Sequence, residues 1–267
     1  MNLVQVDLEP LDGGATAAII TLNRPDQLNA MSWEMIRRFD QAVSEATADA
    51  SVRAVLVTGR GRAFSAGGDL KSYIDLQRDA EAFPRFVRDI HDAFGRLRAL
   101  ELPVVALVNG VAAAGGLELL ISCDLALAAA SARIGDAHLN YGQMGGGGVL
   151  TLLPRLVGVA RAAELIFSGR FLSAAEAAEW GLVSSVVPDD DLLAAGLAFA
   201  RGVAAKSPLA VANAKRVLNT VWAESMSVRA GLALELETNA VYCLTSEDAP
   251  EGLAAFRDKR SPRFTGR

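Results

Sequence analysis

Leu102 to Val108 (LPVVALV) is an unbroken apolar run of strand length, and such a run reads as a buried strand. Asn109-Gly110 then turns the chain and a Gly115-Gly116 pair follows. Leu117 to Ile121 begins a helix with one carboxylate, Glu118, among leucines. The order strand, glycine turn, helix start aims unpaired backbone N–H groups at a bound anion. A lone carboxylate in apolar surroundings has its pKa raised and exchanges protons nearer neutrality. N–H donors beside such a group suit a reaction in which negative charge develops on an oxygen. The same residues also suit a plain helix packed on a sheet, with Glu118 satisfied by a salt bridge. The stretch alone leaves both readings open.

The rest of the chain repeats the alternation. Leu3 to Leu8 and Ala15 to Leu22 flank Asp12-Gly13-Gly14 and read as a hairpin. Ser32 caps a helix from Trp33 to about Ala48, with the apolar stripe Ile36, Phe39, Val43, Ala46. Ala54 to Thr58 and Leu125 to Ala130 are further buried strands, and Asp75 to Leu100 is helical. Ser173 and Glu176 form a capping box, and Val183 to Val187 is the last strand. The whole is an α/β pattern with mostly parallel pairing. After Pro188 only helices follow, the first capped by Asp189, the next opened by Ser207-Pro208. Their apolar residues occupy more than one face, as in helices that pack on a neighbouring subunit. The division expected is a core over residues 1–190 and a helical oligomerisation region over 191–267.

Composition excludes several classes. A net charge of −5 argues against a nucleic-acid binder held by bulk electrostatics. No apolar run reaches the ~18 residues of a membrane span. The start, MNLVQVDLEP, has neither the basic nor the apolar part of a secretory signal, so a cytoplasmic protein is expected. Cys123 and Cys243 lie in apolar surroundings and read as free, buried thiols. Two cysteines and two histidines, His91 and His138, give no metal-ligand pattern. His91 sits in a charged helix and is expected to face solvent.

A second small-residue loop, Arg62 to Lys71 (RAFSAGGDLK), follows a buried strand and leaves its backbone open to close approach by a ligand oxygen. Two such loops can supply one N–H apiece to a shared oxyanion. With this pairing the chain resembles the crotonase (enoyl-CoA hydratase/isomerase) family. The matching pieces are Asn23-Arg24-Pro25 with Leu28-Asn29-Ala30, Ala63 to Leu70 (AFSAGGDL), Asn109 to Asp124, Ser173 to Val183, and Ala254-Ala255-Phe256 with Lys259-Arg260. They stand in family order across almost the whole chain.

The resemblance implies a crotonase-type ββα superhelix with a C-terminal helical trimerisation region, in a homotrimer or a homohexamer. It implies an acyl-CoA thioester substrate, with coenzyme A carried by the substrate and no separate cofactor. It places Ala66 and Gly115 as the donors of the oxyanion hole and Glu118 at a catalytic position. The neighbouring Gly67, Gly68, Asp69, Leu70 and Gly116 belong to the substrate-binding loops, and Tyr73 to the wall of the acyl pocket. Arg24, Gln27, Leu28 and Ala30 fall where the family contacts coenzyme A. Phe256 and Lys259 fall where it reaches the nucleotide held by a neighbouring subunit.

One departure concerns the second catalytic glutamate of the family's hydratases. It stands in a Pro-Glu pair ahead of a Gly-x-x-Pro-Gly-x-Gly-Gly loop. Here Gly135 to Gly148 reads GDAHLNYGQMGGGG, with Ala137-His138 in place of Pro-Glu. Histidine exchanges a proton near neutrality, so His138 is the second catalytic candidate. The expected function is hydration of a 2-enoyl-CoA through an oxyanion-stabilised thioester enolate. The alternatives are an isomerase, hydrolase or decarboxylase using Glu118 and His138, or a non-catalytic acyl-CoA binder.

Overall fold

The computed structural model describes residues 2–267. Among these residues ten strands form two sheets. They are β1 (Val4–Pro10), β2 (Thr16–Leu22), β3 (Val52–Gly59), β4 (Ala63–Ser65), β5 (Val104–Val108), β6 (Val111–Ala113), β7 (Leu125–Ala129), β8 (Arg133–Gly135), β9 (Phe171–Ser173) and β10 (Ser185–Val187). The larger sheet has the order β1-β2-β3-β5-β7-β10, the smaller β4-β6-β8-β9. Only β1–β2 and β8–β9 pair antiparallel. Three times a strand of the large sheet turns sharply into a short strand of the small one: β3 into β4, β5 into β6, β7 into β8. Asn109 braces two of these corners together. Its carbonyl accepts from Gly59 N–H at 3.1 Å and its amide donates to Gly61 O at 2.8 Å.

Eleven helices, α1 to α11, occur among the described residues. The first seven are α1 (Trp33–Ala46), α2 (Leu70–Leu76), α3 (Ala82–Ala99), α4 (Gly115–Ser122), α5 (Val149–Val157), α6 (Val159–Ser168) and α7 (Ala174–Glu179). The others are α8 (Leu192–Ala204), α9 (Pro208–Ala223), α10 (Val228–Thr245) and α11 (Asp248–Arg257). Ser32 caps α1 by accepting from Met35 N–H, and Ser173 with Glu176 forms the capping box of α7. The helix expected over 75–100 is two helices. Asp79 Oδ1 accepts from the N–H groups of Glu81 and Ala82 and restarts the chain as α3. Asp189 does not cap α8. Its carboxylate accepts instead from Ser131 N–H at 3.0 Å, tying the start of the C-terminal helices to the loop after β7.

The strands read as unbroken apolar runs because both faces of the large sheet are covered. On β3, Val55 and Val57 join one core with Phe39, Phe86 and Phe94 from α1 and α3. Ala54 and Leu56 point the other way, into a second core closed by Leu192 and Ala200 of α8. Thus α8 packs on the core, although it lies beyond residue 190. Helices α9 to α11 bury little against the rest of the chain. Lys215 is their main tether: its ammonium donates to the carbonyls of Leu97 and Leu102 at 2.9 and 2.8 Å and pairs with Asp124 at 2.7 Å. Cys123 is buried, and burial pushes its thiol pKa up to about 12. Cys243, expected to be buried, is exposed on α10, a helix whose apolar residues face outward.

Candidate active site

All eight residues of α4 are buried. The helix begins where the two small-residue loops touch. A Cβ on Gly116 would sit 2.2 Å from Ser65 O, so only glycine lets the helix start this close to β4. Ala114, just before the helix, has φ 50° and ψ −116°, a conformation that costs a non-glycine residue ~1–3 kcal/mol. Its N–H is held by Gly135 O at 3.1 Å, while its carbonyl accepts from Glu118 N–H at 3.0 Å. The bend leaves Gly115 as the first helical residue, with an N–H that has no partner within the helix.

The facing loop corrects one expectation. The Ala66 N–H donates to Leu28 O at 2.9 Å, so although Ala66 lines the cavity its donor is committed to the backbone. Two residues on, Met31 pairs with Gly68 across a parallel bridge. Gly67 O accepts from Met31 N–H and Asp69 N–H donates to Met31 O, which turns the intervening Gly68 N–H to the other side. Gly68 N lies 3.6 Å from the point where a Gly115 Cβ would stand. The adjacent pair of free donors is therefore Gly68 and Gly115. The small-residue pattern marked the loop but not which amide points inward, since that depends on the pairing with Met31.

Gly68 and Gly115 both line a cavity of about 240 Å³. Glu118 and His138 line it, with Leu70, Tyr73 and Phe83 of the α2–α3 segment and Gly146 and Gly147 opposite. Glu118 is 2% exposed. Its Oε1 accepts from Gly147 N–H at 2.7 Å and from Val149 N–H at 3.3 Å, so the glycine run orients the carboxylate as well as walling the cavity. Its Oε2 lies 3.8 Å from His138 Nε2. Burial raises the Glu118 pKa. The nearby imidazole and the two N–H bonds oppose that rise without cancelling it. For His138, burial works against charging and is the largest single influence. A hydrogen bond to Asp136 and the negative charge of Glu118 together outweigh it, so the imidazole titrates above its ordinary value. Burial, then Glu118 and Asp69, push the Tyr73 phenol far up, so it stays protonated.

Other expected residues lie around this centre. Arg24 and Asp69 pair with each other at 3.0 Å, and Arg24 also donates to Ala30 O, which holds the 24–30 segment against the loop. Leu28 and Ala30 are half-buried and Gln27 is exposed. Gly67 and Gly116 stand behind the cavity in the contact between the loops. Phe256 and Lys259 do not line it, and Phe256 is 85% exposed. His91 is exposed, as expected. Asp136 and Tyr141 were not singled out. The signal for Asp136 was present as an Asp two residues before the histidine. Tyr141 lies in a one-turn 3-10 helix whose placement no sequence period reveals. Among the described residues, no group of three or more His, Cys, Asp or Glu could hold a metal ion, and no helix is long and apolar enough to cross a membrane.

Residues 12–267 match the enoyl-CoA hydratase/isomerase family. The chain is 39% identical over 249 residues to a Mycobacterium bovis protein named "Probable enoyl-CoA hydratase echA8", covering 93% of this chain and 94% of that one. It is 35% identical to the 2,3-dehydroadipyl-CoA hydratase of Escherichia coli, over 93% of this chain and 95% of the relative. Among solved structures, an enoyl-CoA hydratase from Bacillus anthracis superposes with a TM-score of 0.91 at 34% identity, over 99% of this chain and 100% of that one.

Proposed function

The chain belongs to the enoyl-CoA hydratase/isomerase family, and from that premise we propose how its residues carry the reaction. It is an enzyme of the enoyl-CoA hydratase type, acting on an acyl-CoA thioester. In hydration, the oxygen of water bonds to the β-carbon, a proton goes to the α-carbon, and the thioester oxygen carries negative charge in between. The Gly68 and Gly115 N–H groups receive that oxygen. A preorganised donor of this kind is worth ~10²–10³ in rate. Glu118 Oε2, left free by the bonds that anchor Oε1, takes the proton from water. His138 enters as the imidazolium, gives the proton on Nε2 to the α-carbon and is left as the neutral Nδ1–H form. The pair then resets by passing the proton from the carboxyl to the imidazole. The observation that carries this reading is Oε2 and Nε2 standing 3.8 Å apart in the cavity that Gly68 and Gly115 line.

The acyl chain fits against Tyr73, Phe83, Val87 and Phe94, an apolar wall supplied by α2 and α3. Coenzyme A would leave along the 24–30 segment, and no further cofactor is needed. We assign helices α9 to α11, rather than all of residues 191–267, to oligomerisation, in a trimer or hexamer. The support is apolar residues facing outward from α9 to α11: Leu218, Leu236 and Leu244 are 70%, 70% and 85% exposed. In such an assembly Phe256 and Lys259 would meet a neighbour's nucleotide.

The test is to incubate the protein with crotonyl-CoA and a panel of longer and aryl 2-enoyl-CoA thioesters, following the enoyl absorbance and product mass. Addition of one water, lost in Glu118→Gln, supports the reading. Tight binding of every thioester without turnover sinks it in favour of a silent binder, and a product without added water would indicate another reaction of the fold.

A further inference from the structure

The carboxylate of Asp136 takes no part in the scheme so far, yet it is 1% exposed, and its Oδ1 is hydrogen-bonded to His138 Nδ1. The two residues are two apart, where β8 ends and a short 3-10 turn begins, so the backbone fixes their separation. The opposite ring nitrogen, Nε2, faces Glu118 and the cavity. A carboxylate only accepts, so the bond requires the hydrogen to sit on Nδ1. In the neutral imidazole that leaves the Nε2 lone pair directed at the substrate.

We propose that Asp136 is the positioning residue of this site: by holding the Nδ1–H of His138, it makes Nε2 the nitrogen that gives and regains the transferred proton. This rests on His138 as the proton carrier. It explains how a histidine serves where the family's hydratases place a second glutamate. A glutamate carboxylate can take a proton on either oxygen and needs no tautomer control. An imidazole has two inequivalent nitrogens, and only one of them reaches the cavity. The groups facing the ring are Asp136 from its own segment, Glu118 from α4, and the Tyr73 and Tyr141 phenols, which line the same cavity. Asp136 is the one among them that bonds to Nδ1.

The chain has two histidines, so nitrogen-15 NMR of the imidazoles resolves them, with His91→Gln giving the assignment. In the parent protein, neutral His138 is expected as the Nδ1–H tautomer. Finding it as the Nε2–H tautomer overturns the proposal with no variant needed. In Asp136→Asn, the tautomer population should move toward Nε2–H and the titration midpoint of His138 should fall. Turnover should drop about 10²–10⁴-fold, with KM within about threefold. An unchanged tautomer and midpoint in a folded Asp136→Asn protein overturns the proposal. A kinetic cycle separates positioning from a merely structural role. Placed in a His138→Gln background, Asp136→Asn should cost no further rate, and an equal second loss refutes the assignment. If the parent turns over no enoyl-CoA, the hydration reading falls, and the NMR arm still decides the Asp136–His138 pairing.

Discussion

Gly147→Ala tests whether the glycine wall aims the catalytic carboxylate. Gly147 is not among the residues with positive φ, so alanine is allowed by the backbone and only contacts decide the outcome. The added Cβ would stand 2.6 Å from Glu118 Oε2 and 3.0 Å from both its Cδ and Ile90 Cγ2. Ordinary contact begins at 3.4 Å, so the carboxylate must retreat by about 0.8 Å from the new Cβ. Overpacking of this kind costs ~1–3 kcal/mol, which leaves the protein folded. The Gly147 N–H bond at 2.7 Å would stretch or bend, and Oε2 would turn away from its position near His138. A misplacement of ~1 Å at a reacting group costs about 10²-fold in rate. The expectation is a fall in kcat of about that size on the best enoyl-CoA substrate, with little change in KM and a modest loss of thermal stability. Gly202→Ala is the control. It lies on α8 with no atom within 4 Å of the new Cβ, and it should gain ~0.5–1 kcal/mol and keep its activity. A Gly147→Ala enzyme with kcat within about threefold of the parent would refute the reasoning, because the carboxylate would then tolerate displacement.

Further outcomes are expected. Glu118→Gln should fold and lose about 10²–10⁴ in turnover by steady-state kinetics. Because burial raises the Glu118 pKa in the folded protein, its favourable contribution is present at low pH and is lost as pH rises through that folded value. The stability of Glu118→Gln relative to the parent, from denaturant titrations, should therefore increase as pH rises from the ordinary carboxylate range through the raised folded value. A difference that shrinks over that range would contradict the assignment. Lys215→Met leaves Asp124 without its cation and two carbonyls without a donor, and should destabilise the chain by ~3–5 kcal/mol. Light scattering at micromolar concentration should give a trimer or hexamer, and a monomer would reject the role assigned to α9–α11.

The parts legible in the sequence were those governed by local periodicity. The stripe of α1, the serine caps of α1 and α7, and the large-sheet strands each announce themselves within a dozen residues. The small sheet did not. Its strands β4, β6, β8 and β9 are three residues each, too short for a period of two to show, and long-range pairing defines them. Glu118 was readable because a carboxylate among leucines is chemically conspicuous. Ala66 was preferred to Gly68 as the donor because the orientation of a backbone amide is set by its partner strand, here Met31, and leaves no trace in composition. Asp189 looked like a cap but bonds to Ser131, 58 residues earlier, a contact that no window of sequence contains.

Complete burial of α4 divides the protein by how freely it can change. Every side chain on that helix touches neighbours, and a Cβ at Gly116 would strike β4, so substitutions there threaten folding before they alter chemistry. His138 is reached from a short turn, and the acyl wall hangs on α2 and α3, where Leu70 and Ile74 are already solvent-facing. Mutational drift is thus channelled. The anion-stabilising floor should resist substitution, while the second proton carrier and the substrate's surroundings should change at smaller cost in stability. A histidine in place of a glutamate is what such a partition would be expected to produce.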